Sequence, residues 1–339
     1  MWKVTNKKNE IVLIQFEKEI IKPFFKILYE AISGIEQNKL TLLTKNIWEH
    51  CKTYKNMGEQ QKKIFDYIMK NKYNNISFSD LVYSLINSLS SSDIIKYYKI
   101  YLYQNLKARK LNYDSILDSP VPRELQTVFS KFFYDKFLSA KKPVLKIWDY
   151  LIGDSYTRRD FHENFKLENE LSICPYCDTD TINSKANSEI EHFLPRKYFP
   201  FLSMNPFNMF STCSACNFGE DGKGTKKLTP ITTPFNESIG YNLDFELNTN
   251  VEIIEIDSDV VPYQNYIKLL QLKERYEDKQ IFRSVSRKIQ IINDLYSDLE
   301  LRYGHFTCES SIKETLDNHV KRTEKQETFT IVVRKLLFH

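Results

Sequence analysis

The sequence predicts a mainly helical protein with a small α+β core. Three observations carry this. Glycine is scarce, at 8 of 339 residues, which disfavours a turn-rich all-β architecture. Apolar residues recur at helical spacing over most of the chain. Strand-like alternation is confined to residues 191–195 and to a segment near 243–256. Hydrophobic residues make up 42% and aromatic residues 14%, enough to fill real cores and to exclude wholesale disorder. The length allows two or three domains.

Taken in order, the run IIKPFFKILYEAI places Ile20, Phe24, Ile27, Leu28 and Ile32 on one helical face. IWEHCKTYK and QQKKIFDYIMKNK read as short helices. The polar stretch SFSD at 77–80 starts the helix LVYSLINSL, and the serines at 90–92 cap DIIKYYKIYLYQNLKARK. Pro122 opens RELQTVFSKFFYDKFLSA as a first-turn proline does, and Pro143 precedes a helix in VLKIWDYLI. Tyr97, Tyr98, Tyr101 and Tyr103, close to Lys107, Arg109 and Lys110, fit either of two roles. They can stack on nucleic acid, or form the core face of an amphipathic helix with a solvated basic end. Farther on, Leu243, Phe245 and Leu247 alternate with polar residues. Asn248–Asn250 interrupt, and 251–256 alternate again, which reads as a β-hairpin. From Tyr263 the helical period returns through Leu299, for two or three helices. TFTIVVRKLLF fits strand or helix.

The formal net charge is +4, too small to define a nucleic-acid partner by itself. The distribution is more informative. Between Pro195 and Lys227 five bases (Arg196, Lys197, Lys223, Lys226, Lys227) face two acids (Glu220, Asp221). The opening MWKVTNKKNEIVLIQF holds only a short apolar patch, unlike a secretory signal. No apolar run approaches the length that spans a bilayer. The expected location is the cytoplasm, with no membrane contact. There thiols stay reduced, so paired Cys-x-x-Cys motifs read as metal ligands.

Two such pairs, Cys174-Pro-Tyr-Cys177 and Cys213-Ser-Ala-Cys216, are separated by 35 residues. Each turn aims two sulfurs at one point. Two turns complete a tetrahedral S₄ shell that suits Zn²⁺ and leaves no position open for catalysis. The expected zinc is therefore structural. The separation exceeds that of a minimal zinc ribbon, leaving room for a functional insert.

That insert contains Glu191-His192-Phe193-Leu194-Pro195 and Asn208, which lies five residues before Cys213; Asn217 directly follows Cys216, and Lys223 and Lys226 come next. This pattern resembles the HNH endonuclease family, in its zinc-knuckle subgroup, over roughly residues 170–232. The resemblance implies a ββα-metal module stapled by a four-cysteine zinc site and flanked by helical regions. A hairpin would carry Glu191 and His192, and a helix would start near Cys216. It implies phosphodiester hydrolysis, with His192 as general base and Glu191 and Asn217 as hard oxygen ligands to a catalytic Mg²⁺ or Mn²⁺. Asn208 would orient the His192 ring or its loop. Arg196, Lys197, Lys223, Lys226 and Lys227 would contact the nucleic acid as phosphate-binding charges. The chain departs from the family pattern in having Asn217, a known alternative to His but a weaker ligand, and Glu191 where Asp is commoner. Glu189 competes for the metal, and FGEDGKG inserts residues before the lysine.

The expected organisation is a helical N-terminal region (1–168) that docks a partner or binds nucleic acid, a nuclease module (169–235), and a C-terminal hairpin with helices (236–339). The C-terminal part resembles the HNH subunits of Septu-type anti-phage defence systems. That implies a DNA substrate and an ATPase partner. Two other functions fit the same residues: a non-catalytic, zinc-stabilised nucleic-acid-binding or adaptor protein, and an HNH nuclease acting on RNA.

Overall fold

A computed structural model describes residues 1–139, 145–183, 188–217, 222–303 and 309–338. The fold is mainly helical, and the described residues form three two-stranded sheets. The chain divides into two compact units. One joins Asn6–Phe165 to His192–Phe210; the other joins Met1–Thr5, Lys166–Glu191 and Ser211–His339.

The first unit begins with α1 (Lys7–Phe16), a π turn (Glu17–Ile21) and α2 (Lys22–Glu36). Pro23 lacks the N–H that would bond back one turn, and the π turn lies just ahead of it. α2 buries Phe24, Phe25, Ile27, Leu28, Ala31 and Ile32, the face its spacing predicts. The expected short helix over IWEHCKTYK is instead a 3₁₀ turn (Ile47–His50), an extended Cys51 and the single-turn α3 (Lys52–Lys55), whereas α4 (Glu59–Lys70) matches its expected helix. A small hairpin follows, β1 (Lys72–Tyr73) with β2 (Ile76–Ser77). It was not anticipated. Its signal is Asn74-Asn75, both at positive φ, as a type I′ turn requires.

α5 (Phe78–Ser88) and α6 (Ser91–Arg109) each start with a capping box. Ser77 accepts from the Asp80 backbone N–H and Ser90 from that of Asp93, while each aspartate accepts in return. The run after Pro122 differs from a plain α-helix. α7 (Arg123–Thr127) passes into a π segment, Val128–Lys136, whose wider turns bring Val128, Phe129, Phe132 and Phe133 all into the core. Phe129 sits among Phe25, Tyr101, Phe133 and Phe201, with ring centroids 4.8–5.9 Å away. Tyr101 thus belongs to the core, and Arg109 pairs with Glu17, so the packing role of that stripe holds at these two residues. Tyr103 stays half-exposed under Lys107. α8 (Leu145–Ile152) and α9 (Arg158–Asn169) follow; Pro143 lies outside the described residues.

β3 (Glu189–His192) pairs with β4 (Met209–Thr212). The boundary between the units passes through both strands. α10 (Ser214–Asn217) comes directly after β4. In the second unit the expected hairpin is present as β5 (Asp244–Asn248) and β6 (Ile253–Asp257), antiparallel with Leu247 opposite Ile254. Ile254 and Ile256 are buried; Val251 falls in the turn and is exposed. Three helices follow, α11 (Val261–Leu270), α12 (Leu272–Tyr276) and α13 (Lys279–Tyr303). α14 (Glu309–Arg322) was missed, although Ile312, Leu316 and Val320, all buried, recur every four residues. The ambiguous C-terminal run is a helix, α15 (Thr330–Phe338), with Ile331, Val332 and Val333 consecutively buried. Burial around the whole first turn, Thr330–Val333, blurs the periodicity that would have identified it.

Candidate metal centre and active site

The first cysteine pair sits at the tip of a narrow hairpin. Ile173 bridges Thr181, and the Cys174 N–H bonds the Asp180 carbonyl at 2.8 Å. The turn closes through the Asp178 N–H on the Cys174 carbonyl, with Asp178 at φ +61°, a conformation aspartate tolerates better than most residues. The Asp178 carboxylate is fully buried and accepts from Trp2 Nε1 (2.9 Å) and the Ile331 N–H (3.1 Å). Burial still pushes its pKa up, to about 7. The second pair spans the end of β4 and α10.

The fold brings all four cysteines together. Their sulfurs lie within 4.8 Å of one another, and all four are buried. Cys174 and Cys216 sulfurs are 3.9 Å apart, and Cys177 and Cys213 sulfurs 3.8 Å. A tetrahedron built on Zn–S bonds of about 2.3 Å has edges of about 3.8 Å. The donor set and its spacing therefore fit a tetrathiolate zinc centre. Outer groups point hydrogens at the sulfurs: the Cys213 N–H at Cys174 (3.3 Å), Thr179 Oγ1 at Cys177 (3.1 Å) and Arg275 Nη1 at Cys216 (3.1 Å).

The centre connects to Glu191 through the loop behind the second pair. The Lys223 N–H bonds the Cys216 carbonyl at 3.0 Å. The Lys223 ammonium reaches Glu191 Oε1 at 2.5 Å, with both side chains buried. Lys223 is thus a partner of the expected metal ligand rather than an exposed phosphate contact. Asn217, the last residue of α10, is half-buried beside Cys216.

In the other unit, His192 is 5% exposed. Its Nε2 lies 3.0 Å from the Ser203 carbonyl. A carbonyl only accepts, so Nε2 carries a proton here, and in the neutral imidazole the basic nitrogen is then Nδ1. Ser203 is itself held, its hydroxyl donating to the Phe129 carbonyl at 2.9 Å. Tyr134 meets the His192 ring edge to face at 4.5 Å, and burial raises the Tyr134 pKa to about 12. Arg196 lies over the Tyr134 ring at 4.2 Å and bonds Asp135 Oδ1 and the Ser130 carbonyl. Four residues of the π segment, Phe129, Ser130, Tyr134 and Asp135, thus supply these contacts, a use typical of π turns.

Asn208 staples the loop after His192. Its Oδ1 accepts from the Leu194 N–H at 2.7 Å, its Nδ2 donates to the Leu194 carbonyl at 3.0 Å, and its own carbonyl accepts from the Phe193 N–H. Of the five basic residues, Lys197 and Lys226 are exposed, Arg196 and Lys227 half-buried, and Lys223 buried. Sequence reasoning missed Tyr134, Ser203 and Arg275. Each is remote in sequence from the group it touches, and none belongs to a motif.

Fold and centre together define a mainly helical protein with a buried four-cysteine cluster that fits a structural zinc site. The chain is similar to the Septu protein PtuB of Bacillus thuringiensis, at 32% identity over 82 residues. That stretch is 24% of this chain and 32% of the relative, so the match spans about a third of the relative's length. No protein-family model matches the chain, and no solved structure matches it. Among the described residues no helix is long and apolar enough to cross a membrane.

Proposed function

We propose that this chain is a metal-dependent HNH-type endonuclease that hydrolyses DNA phosphodiester bonds as part of an anti-phage defence system. The observation that carries the proposal is the His192 hydrogen bond to the Ser203 carbonyl. With Nε2 donating there, the neutral ring would have Nδ1 as its base, the form that takes a proton from water. Asn208 holds the backbone that follows His192. Glu191 and Asn217 are the oxygen donors for a Mg²⁺ or Mn²⁺ ion, and in this structure Lys223 already balances the Glu191 charge. When bound, such an ion would supply charge stabilisation for the phosphate and the leaving oxygen. The exposed Lys197 and Lys226 attract the nucleic-acid backbone. The defence role and an ATPase partner rest on the partial similarity to PtuB and on the motif. The helical region 1–168 is then the docking or nucleic-acid-binding part, with 169–235 as the nuclease module.

The test is a digestion panel of plasmid, linear and single-stranded DNA and RNA with Mg²⁺ or Mn²⁺, run with and without a co-encoded ATPase. Cleavage by the native chain and its loss in His192→Ala, at full zinc content, are expected. Undiminished cleavage by His192→Ala would sink the proposal. A second function, a zinc-stabilised binding or adaptor protein, is favoured by the deep burial of His192 and by the Glu191–Lys223 pair. Nucleic-acid binding with no cleavage under any arm of the panel would select it. Cleavage of RNA alone would change the substrate and keep the chemistry.

A further inference from the structure

Four thiolates around one divalent zinc would leave a dianion, and here the four sulfurs that would hold it are buried. Burying such charge is costly unless neighbouring groups compensate it. Arg275 supplies a cation within reach of the sulfurs. Its Nη1 is 3.1 Å from the Cys216 sulfur and 4.0 Å from that of Cys213. Its side chain is only 13% exposed, and its carboxylate partner, Asp180, stands farther off at 3.8 Å.

The placement of Arg275 is built by its helices. α11 ends at Gln271, which adopts φ +52° and lets α12 turn away. Tyr266 of α11 donates its hydroxyl to the Tyr176 carbonyl, and Tyr276 of α12 donates to the Cys177 carbonyl, each at 2.9 Å. Both tyrosines are fully buried. Two hydrogen bonds thus clamp α11 and α12 to the first cysteine pair, and Arg275, next to Tyr276, reaches across to the second pair. The helices after the hairpin are in this way keyed to the metal centre from both sides.

We propose that Arg275 is the outer-sphere cation of the four-cysteine zinc site and sets how tightly that site holds its metal. Its guanidinium charge offsets the thiolates, and its N–H fixes the direction of the Cys216 lone pair. The role is one of positioning and charge, independent of whether the chain cleaves nucleic acid. Outer groups of this kind typically change metal affinity by about 10–100-fold when removed.

The experiment is zinc competition against a chromophoric chelator on the full chain, with Arg275→Met, Arg275→Gln and Arg275→Lys. Methionine keeps the apolar stem, glutamine keeps a neutral N–H donor, and lysine keeps the charge. Expected affinities fall by about 10–100-fold for Met, less for Gln, and least for Lys. In the cobalt-substituted protein the sulfur-to-metal charge-transfer band should shift in the Met variant and return toward the native position in the Lys variant. If the Met variant fails to fold, the ranking of Gln below Lys and the Gln band shift decide the matter. Equal zinc affinity and an unshifted cobalt band across the folded variants would overturn the proposal. So would a Lys variant as weak as Met or Gln, because packing alone would then explain Arg275.

Discussion

Lys223→Met tests whether the Glu191–Lys223 pair organises the second unit. Both side chains are nearly excluded from water, at 7% and 0% exposure, and the ammonium lies 2.5 Å from the carboxylate. Methionine keeps the volume of the stem and deletes the charge. Glu191 then loses the ammonium that lies against its carboxylate. Removing one member of a buried pair costs about 3–5 kcal/mol, because water cannot reach the remaining charge. In a unit of this size each kcal/mol lowers the midpoint by about 2–4 °C, giving a fall of roughly 6–20 °C. The assay is thermal and urea unfolding with zinc content measured in parallel, so that metal loss is not mistaken for pair loss. The double variant Glu191→Leu with Lys223→Met should recover most of the loss, since an apolar replacement removes both desolvation costs. A single variant weakened by less than about 1 kcal/mol, the worth of an exposed pair, would refute the reasoning.

Two further outcomes are expected. The purified chain should carry one zinc, measurable by elemental analysis, and stripping it with a strong chelator should abolish the cooperative unfolding of the unit that holds the cysteines, since zinc binding contributes directly to folding. Ser77→Ala should cost about 1 kcal/mol, the value of an N-cap, in urea unfolding at neutral pH. The hydrogen bonds from Ser77 hold the Asp80 carboxyl below its ordinary pKa. A depressed folded value stabilises above the unfolded pKa and is lost as pH falls through the folded one. The difference between Ser77→Ala and the native chain should therefore shrink in acid; a difference that grows in acid would contradict the capping-box assignment.

Much of this protein was legible in its sequence because local rules govern those parts. Helical spacing located α2, α4, α6 and the core face Phe24–Ile32, and side-chain oxygens at Ser77 and Ser90 marked helix starts. Alternation around Asn248–Asn250 located the β5–β6 hairpin. The spacing of the cysteines announced a tetrathiolate centre, since two Cys-x-x-Cys turns leave few other uses for four sulfurs. Where local rules weaken, the sequence was silent or ambiguous. α15 opens on four consecutive buried residues, Thr330–Val333, so its apolar run had no clear period. The π segment after Val128 came from packing four aromatic or aliphatic side chains inward, which no local pattern encodes.

The sequence by itself determined most of the helices and the four cysteines that gather, because spacing along the chain carries that information, and it supplied Glu191, His192, Asn208 and Asn217 as the expected catalytic set. Only the tertiary structure decided which groups meet them: Lys223 on Glu191, the Ser203 carbonyl and Tyr134 on His192, and Arg275 on Cys216. These contacts join residues 11 to 59 positions apart. Folding sets such distances through the burial of distant apolar faces, and burial fixes which charges must be neutralised and which ring nitrogen carries a donated proton.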